Sequence, residues 1–137
     1  MNNNDILELR NNPHKAKEFF LNHLAFTTSP DRLNAMMQKH LEDFNLFDFR
    51  DYDDYIKAHI PYAIHIPFDQ LEEQMVKFTR DKVNVLYSYS PLCQLANKVA
   101  YILADKGYPV MVLTCGFKGW KKRDFQTVED DMPDYPG

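Results

Sequence analysis

Residues 83–106 decide the fold: Val-Asn-Val-Leu-Tyr-Ser-Tyr-Ser-Pro-Leu-Cys-Gln-Leu-Ala-Asn-Lys-Val-Ala-Tyr-Ile-Leu-Ala-Asp-Lys. The first five residues, Val83 to Tyr87, are rich in residue types that favour β-structure, and they predict a strand. From Leu95 to Lys106 the apolar residues recur at helical spacing, and Gly107 follows as a natural stop. A strand, a loop and a helix therefore follow one another, with the loop at the carboxyl end of the strand.

Shorter segments on either side repeat this alternation of strand and helix. Strands are predicted at residues 45–49, 63–66 and 110–113, and helices at 51–57, 69–78 and 116–122. Ser29-Pro30-Asp31 is typical of a helix start, and Leu33, Met36 and Met37 follow on one apolar side. This order predicts an α/β domain of parallel strands joined by right-handed helical crossovers.

The bulk composition excludes several classes of protein. The chain has 137 residues, which suits one domain, and its net charge of −4 gives no general attraction for nucleic acid or anionic membranes. No apolar run approaches the ~18 residues of a membrane helix, and the first residues show no signal region. The two cysteines, Cys93 and Cys115, form neither a disulfide framework nor a metal spacing. We therefore expect a reduced, cytoplasmic protein with no metal and no cofactor.

The two ends of the chain are predicted to lie outside the core domain of residues 27–126. Residues 1–26 look helical, because Asn12 can cap a helix that Pro13 begins. The apolar side chains Phe19, Phe20, Leu24 and Ala25 favour packing of this helix on the domain, and the alternative is a homodimer contact. Residues 127–137 form an acidic, proline-interrupted tail, which predicts a surface or disordered end.

Two motifs in this order resemble those of the rhodanese-like domain family. The first is Leu-Phe-Asp-Phe-Arg at 46–50, then Asp54-Tyr55, then Ala-His-Ile-Pro-Tyr-Ala-Ile-His-Ile-Pro at 58–67. The second is Gly107-Tyr108, an apolar strand, and Gly-Phe-Lys-Gly-Trp at 116–120. The resemblance spans residues 28–125 and implies a central parallel sheet of about five strands with helices on both faces.

Four positions depart from the family pattern. Ala58, Tyr62 and Cys115 stand where the motifs carry glycine, so the backbone there must avoid strongly positive φ or tolerate strain. The chemical departure is Ser88, which stands where the family's catalytic cysteine follows the central strand. The loop resembles a subgroup reading Tyr-Cys-x-x-Pro-x-Cys-x-x-Ala, in which Cys93 matches the second cysteine.

The resemblance implies a site for sulfur transfer. Rhodanese-type catalysis uses a thiolate that takes a sulfane sulfur, holds it as a persulfide and passes it to an acceptor, above a cradle of backbone N–H groups. A serine cannot hold a persulfide, so Cys93 is the candidate catalytic residue. The candidate active-site loop is Ser88, Tyr89, Ser90, Pro91, Leu92, Cys93 and Gln94, with Tyr89 and Leu92 expected at the pocket mouth. Near it, Asp48, Arg50 and His59 are expected to be structural.

Several functions remain open on this evidence. The first is a module with weak or no thiosulfate sulfurtransferase activity that binds a small sulfur-containing anion or a protein partner. The second is a sulfurtransferase that carries sulfur on Cys93. A phosphatase-like reading needs an arginine that the loop lacks, and a serine hydrolase would need His59 or His65 as the base for Ser88. Cys115 is expected to be structural.

Overall fold

The computed structural model describes residues 3–129. Its elements, in chain order, are α1 (Asn3–Arg10), α2 (Pro13–Phe26), β1 (Thr27–Thr28), α3 (Pro30–Lys39), β2 (Phe44–Asp48), α4 (Tyr52–Lys57), β3 (Ile64–His65), β4 (Val83–Tyr87), α5 (Leu95–Asp105), β5 (Val110–Leu113) and α6 (Gly116–Lys122). Short 3-10 turns lie at Leu41–Asp43, Phe68–Gln70 and Met75–Lys77.

The strands form one sheet of five, in the order β1-β5-β4-β2-β3, and every pair of neighbours is parallel. The predicted α/β fold with a parallel five-stranded sheet is therefore confirmed. Because all strands run the same way, their carboxyl ends meet at one edge, where ligand sites of such sheets lie. The loop after β4 leaves the sheet from its centre at this edge.

Helices cover both faces of the sheet. Successive residues of a strand point to opposite faces, so neighbouring residues of β4 pack against different helices. Val85 packs in a cluster with Leu33 of α3 and Trp120 of α6. Its neighbour Leu86 packs with Val99 and Leu103 of α5 on the other face. The periodicity read from the sequence of α5 therefore identified the helix face that the sheet covers.

The helix predicted at residues 69–78 is wrong. The structure has two 3-10 turns there, Phe68–Gln70 and Met75–Lys77. Leu71 and Phe78 are buried, and the Phe78 ring lies 4.5 Å from that of Phe47. Leu71 and Phe78 are seven residues apart, which matches helical spacing in the sequence, but two successive tight turns bury both side chains equally well.

Of the three replaced motif glycines, only Tyr62 adopts a glycine-like backbone. Its φ is 71°, in the left-handed region, which costs a residue with a Cβ on the order of 1 kcal/mol. Ala58 is extended, with φ −170°, and Cys115 is helical, with φ −75°. The chain therefore accepts strain at Tyr62 and avoids it at the other two positions.

Helix α2 contacts the domain without burying its apolar side chains. Helix α2 has no buried residue, and Phe19, Phe20 and Leu24 are exposed. The expected packing of these side chains on the domain is wrong, although α2 as an element contacts β1 and β5. The homodimer through this helix stays a prediction.

The C-terminal segment begins with a contact to the domain. Val128 and His59 exchange two backbone hydrogen bonds of 2.9 Å each. The predicted tail from residue 130 onward lies outside the described residues. None of the helices within residues 3–129 is long and apolar enough to cross a membrane.

Candidate functional site

The loop of residues 88–94 is fixed first by the start of α6. The N–H of Phe117 donates to the Ser88 carbonyl at 2.8 Å, and the N–H of Lys118 donates to the Tyr89 carbonyl at 2.9 Å. The first N–H groups of a helix have no partner within it, so the loop carbonyls satisfy them. The second motif of the sequence thus holds the candidate loop.

Gly116 allows this close approach. Its φ is 65°, and a Cβ there would lie 2.6 Å from the Ser90 nitrogen and 2.7 Å from the Tyr89 carbonyl carbon. Both neighbours are backbone atoms that cannot rotate away. The position therefore needs glycine for its conformation and for the space that it leaves to the loop.

Two of the loop N–H groups that a ligand cradle would use are bonded within the loop. The N–H of Cys93 donates to the Ser90 carbonyl at 3.0 Å, and the N–H of Leu92 donates to Ser90 Oγ at 3.3 Å. The backbone amides of Leu95 and Tyr89 make minor contributions to a lowered pKa of Cys93. The Cys93 and Leu92 amides are therefore engaged within the loop itself.

Ser88 and Cys93 form a hydrogen-bonded pair. Cys93 Sγ lies 3.3 Å from Ser88 Oγ, and Ser88 is 3% exposed. The thiol donates to the hydroxyl, which can rotate to donate to the thiolate once Cys93 is ionised. This hydrogen bond lowers the pKa of Cys93, with smaller help from the Leu95 and Tyr89 amides and the charge of Lys98, against an opposing effect of burial. Ser88 therefore favours the reactive form of Cys93.

Replacing Ser88 by alanine should raise the pKa of the Cys93 thiol, because it removes the largest stabilising contact of the thiolate. At neutral pH the thiolate fraction falls, so alkylation of Cys93 by iodoacetamide should slow, and its pH profile should move to higher pH. Ser90→Ala is the matched control, since the Ser90 hydroxyl contacts the Leu92 amide. Equal profiles for the native protein and Ser88→Ala would show that the hydroxyl has no such role.

A cavity of about 290 Å³ opens beside this pair. The loop and α5 line it with Ser88, Ser90, Pro91, Cys93, Ala96 and Asn97. Strand β5 and the residues after it contribute Val112, Leu113, Thr114, Cys115 and Gly116, and α2 contributes His23. Sequence reasoning missed His23, because no local pattern links a helix before the domain to a loop at the sheet edge. It also missed that both cysteines share one cavity.

Tyr89 and Leu92 do not line this cavity, so their expected place at its mouth is wrong. Leu92 is 92% exposed. The Tyr89 hydroxyl instead donates to Asp54 Oδ2 at 2.7 Å and accepts from the Asp51 N–H at 2.9 Å. Burial and the bond to Asp54 raise the pKa of Tyr89 to about 12. Tyr89 therefore ties the loop to the start of α4.

Gln94 ends the loop and directly precedes α5, where its side chain accepts a hydrogen bond from Asn97 at 2.9 Å. Cys115 directly precedes α6, packs against Gly119, and has a pKa raised by burial. Of the two thiols in the cavity, Cys93 is thus the one whose ionisation the surroundings favour.

Asp48 and Arg50 form a buried ion pair beneath the loop. Arg50 Nη2 lies 2.9 Å from Asp48 Oδ2 and also donates to the Ala58 carbonyl at 2.6 Å. The guanidinium lies 4.0 Å from the centre of the Phe117 ring. The pair thereby joins the end of β2 to α6, which in turn holds the loop.

His59 and His65 bond to backbone groups away from Ser88. His59 Nδ1 lies 2.9 Å from the Tyr55 carbonyl, and its ring stacks on that of Tyr55 at 3.9 Å. His65 Nε2 lies 2.6 Å from the Arg50 carbonyl. Neither is among the described residues that line the cavity. A Ser–His hydrolase that uses His59 or His65 as the base for Ser88 therefore has no support in this geometry.

The profile of the Rhodanese-like domain family matches residues 29–123. The chain belongs to this family. Among solved structures, the rhodanese-like chain superposes on the BH2092 protein of Bacillus halodurans with a TM-score of 0.77 and 30% identity, over 85% of this chain and 86% of that one.

Two relatives of known name are similar to this chain, and one is named as an enzyme and the other as a transcriptional regulator. The thiosulfate sulfurtransferase GlpE of Coxiella burnetii is 32% identical over 80 residues, or 58% of this chain and 73% of GlpE. The HTH-type transcriptional regulator Rv0324 of Mycobacterium tuberculosis is 29% identical over 90 residues, or 66% of this chain. The match covers 40% of the regulator's length. This rhodanese-like domain thus has relatives named as sulfurtransferases and a relative named as a regulator.

Proposed function

We propose that this rhodanese-like protein accepts a sulfane sulfur on Cys93 and carries it as a persulfide, with weak turnover of thiosulfate. The observation that supports the proposal is the 3.3 Å contact between Cys93 Sγ and Ser88 Oγ inside an open cavity. This contact lowers the pKa of Cys93, which lies five residues after the family's usual nucleophile position, and the thiolate is the nucleophilic form of the side chain.

The transfer has two balanced steps. The Cys93 thiolate attacks the terminal sulfur of a hydropersulfide RS–SH, a new S–S bond forms, and the donor's S–S bond breaks as RS⁻ leaves with the electron pair. A nucleophilic acceptor such as cyanide then attacks the outer sulfur of the persulfide. The S–S bond of the persulfide breaks, the Cys93 thiolate leaves with its electron pair and is regenerated, and the transferred sulfur loses its proton to water as thiocyanate forms.

Thiosulfate is a poor donor in this proposal because of its charge. It is a dianion and releases sulfite, another dianion, so rapid turnover needs fixed positive charge around the loop. The loop of residues 88–94 contains no lysine, arginine or histidine. The same lack of arginine gives phosphatase chemistry no support, since phosphate binding relies on that side chain.

The direct test is the intact mass of the protein after exposure to a hydropersulfide or to thiosulfate. The proposal requires one added sulfur atom on Cys93 with the hydropersulfide and much slower uptake from thiosulfate. A folded protein that takes sulfur from neither donor would exclude the carrier role.

A second role, binding of another protein, is supported by the apolar surface of α1 and α2. Eight large apolar side chains on these helices are more than half exposed: Ile6, Leu7, Leu9, Phe19, Phe20, Leu21, Leu24 and Phe26. Glu8 on α1 and the basic Lys15 and Lys17 on α2 could pair across a two-fold axis, so we propose a second copy of this chain as the partner.

We expect Phe20→Glu combined with Leu24→Glu to convert a dimer into a monomer, because the charges would face apolar surface of the second copy. Sedimentation velocity measures the change, and Tyr101→Glu on the exposed side of α5 is the control. A native protein that sediments as a monomer at every concentration would exclude the second copy as the occupant of this surface.

A further inference from the structure

His23 reaches the Cys93 cavity from outside the family's matched region. It lies on α2, before residue 29, and it lines the cavity together with Ser88 and Cys93. Among the described residues of the lining it is the only one with a basic side chain. Lys98 acts on the Cys93 pKa from α5 but is not part of the lining.

The place of His23 is set by the sheet. Thr27 at the end of α2 donates its hydroxyl to the His23 carbonyl, and Thr27 then pairs with Val112 of β5, another residue of the cavity wall. On its own helix, the His23 ring stacks on Phe19 with centroids 5.9 Å apart and planes 13° from parallel. Strand pairing thus holds the backbone of His23 beside the cavity, and the Phe19 ring is the aromatic neighbour of its imidazole.

We infer that His23 is the anion-recognising residue of this cavity and that the hydropersulfide donor RS–SH carries a carboxylate in its R group, which His23 binds while Cys93 attacks the terminal sulfur. This inference rests on the proposed function of Cys93. An imidazole offers N–H donors, and when protonated it also offers a positive charge, which the loop itself does not supply. Residues 29–123, which match the family, place no basic side chain in the cavity wall, and α2 adds one there with His23.

The test compares two alkylating reagents of similar size on Cys93, iodoacetate, which is an anion, and iodoacetamide, which is neutral. The ratio of their rate constants reports recognition of negative charge, and the overall reactivity of the thiol cancels. Peptide mass spectrometry reads Cys93 separately from Cys115. His23→Ala should lower the iodoacetate to iodoacetamide ratio about five-fold, on the scale of one close charge contact in water.

Two further variants separate charge from structure. His23→Arg should restore or raise the ratio, since it keeps a positive charge at the cavity. His14→Ala, on the same helix but not in the lining, should leave the ratio at the native value. The same ratio in the native protein, His23→Ala and His23→Arg would overturn the inference, whether or not Cys93 takes up sulfur. A ratio that changes as expected in a protein that takes up no sulfur would instead refute the proposed function and keep His23 as the anion-binding residue.

Discussion

Replacing Cys93 by serine is expected to reduce sulfur uptake from a hydropersulfide to background. The native protein should gain one sulfur atom, and cyanide should remove it as thiocyanate. The physical reason is that a hydroxyl has a far higher pKa than a thiol and cannot hold a persulfide. Intact mass spectrometry before and after cyanide measures the loaded fraction, and the thiocyanate formed gives the turnover.

Cys115→Ser is the matched control, because Cys115 lines the same cavity but its pKa is raised by burial. This variant should load sulfur as the native protein does. If Cys115→Ser lost sulfur uptake and Cys93→Ser kept it, Cys115 would be the sulfur carrier and our assignment to Cys93 would be wrong.

Ser88→Cys extends the same experiment to thiosulfate. It places a thiol in the cavity at the end of β4, where the resemblance to the family predicts the usual nucleophile, so persulfide formation with thiosulfate should rise. No gain in a folded variant would show that the missing loop cation, and not the missing thiol, limits thiosulfate turnover. Brisk native turnover that disappears in Cys93→Ser would show that Cys93 is fully competent and that the expected weak activity is wrong.

Replacing Arg50 by methionine is expected to destabilise the protein by about 3–5 kcal/mol, because it leaves the Asp48 carboxylate buried without its partner. The two side chains are 4% and 0% exposed, and Asp48 receives three of its hydrogen bonds from the guanidinium. The change also removes the contact with the Phe117 ring. Urea unfolding at 25 °C gives the free energy of unfolding.

The chain contains a matched exposed pair for comparison. Arg123 Nε and Nη2 contact both carboxylate oxygens of Asp31 at 2.8 and 3.2 Å, yet these side chains are 57% and 61% exposed. Arg123→Ala should therefore cost about 0–1 kcal/mol. Similar losses for the two variants would show that burial does not govern the strength of these pairs.

Much of the fold could be predicted because its signals are local. Strand β4 has its bounds as predicted, and α5 ends one residue earlier than predicted. Ser29 caps α3 through a hydrogen bond from the Arg32 N–H. The two-residue strand β1 was missed, because two threonines carry no periodicity and pair with β5 only after the domain has closed.

The site could be predicted less well. The order of strand, loop and helix placed the loop of residues 88–94 at the carboxyl edge of the sheet, and the family resemblance made Cys93 the candidate nucleophile. It treated Ser88 as a lost nucleophile, whereas the structure makes it the hydrogen-bond partner of Cys93. That contact depends on how the loop turns back, which no spacing in the sequence reveals.

By itself, then, the sequence determined the parallel α/β fold, the family resemblance and the position of the loop, since these follow from hydrophobic periodicity and from residues near one another in the chain. Only the tertiary structure decided which groups share the Cys93 cavity. His23 and Cys115 arrive there from α2 and from the end of β5, through strand pairing between β1 and β5. Contacts of this kind depend on the closed sheet, because residues far apart in the chain meet only when the sheet brings their strands side by side.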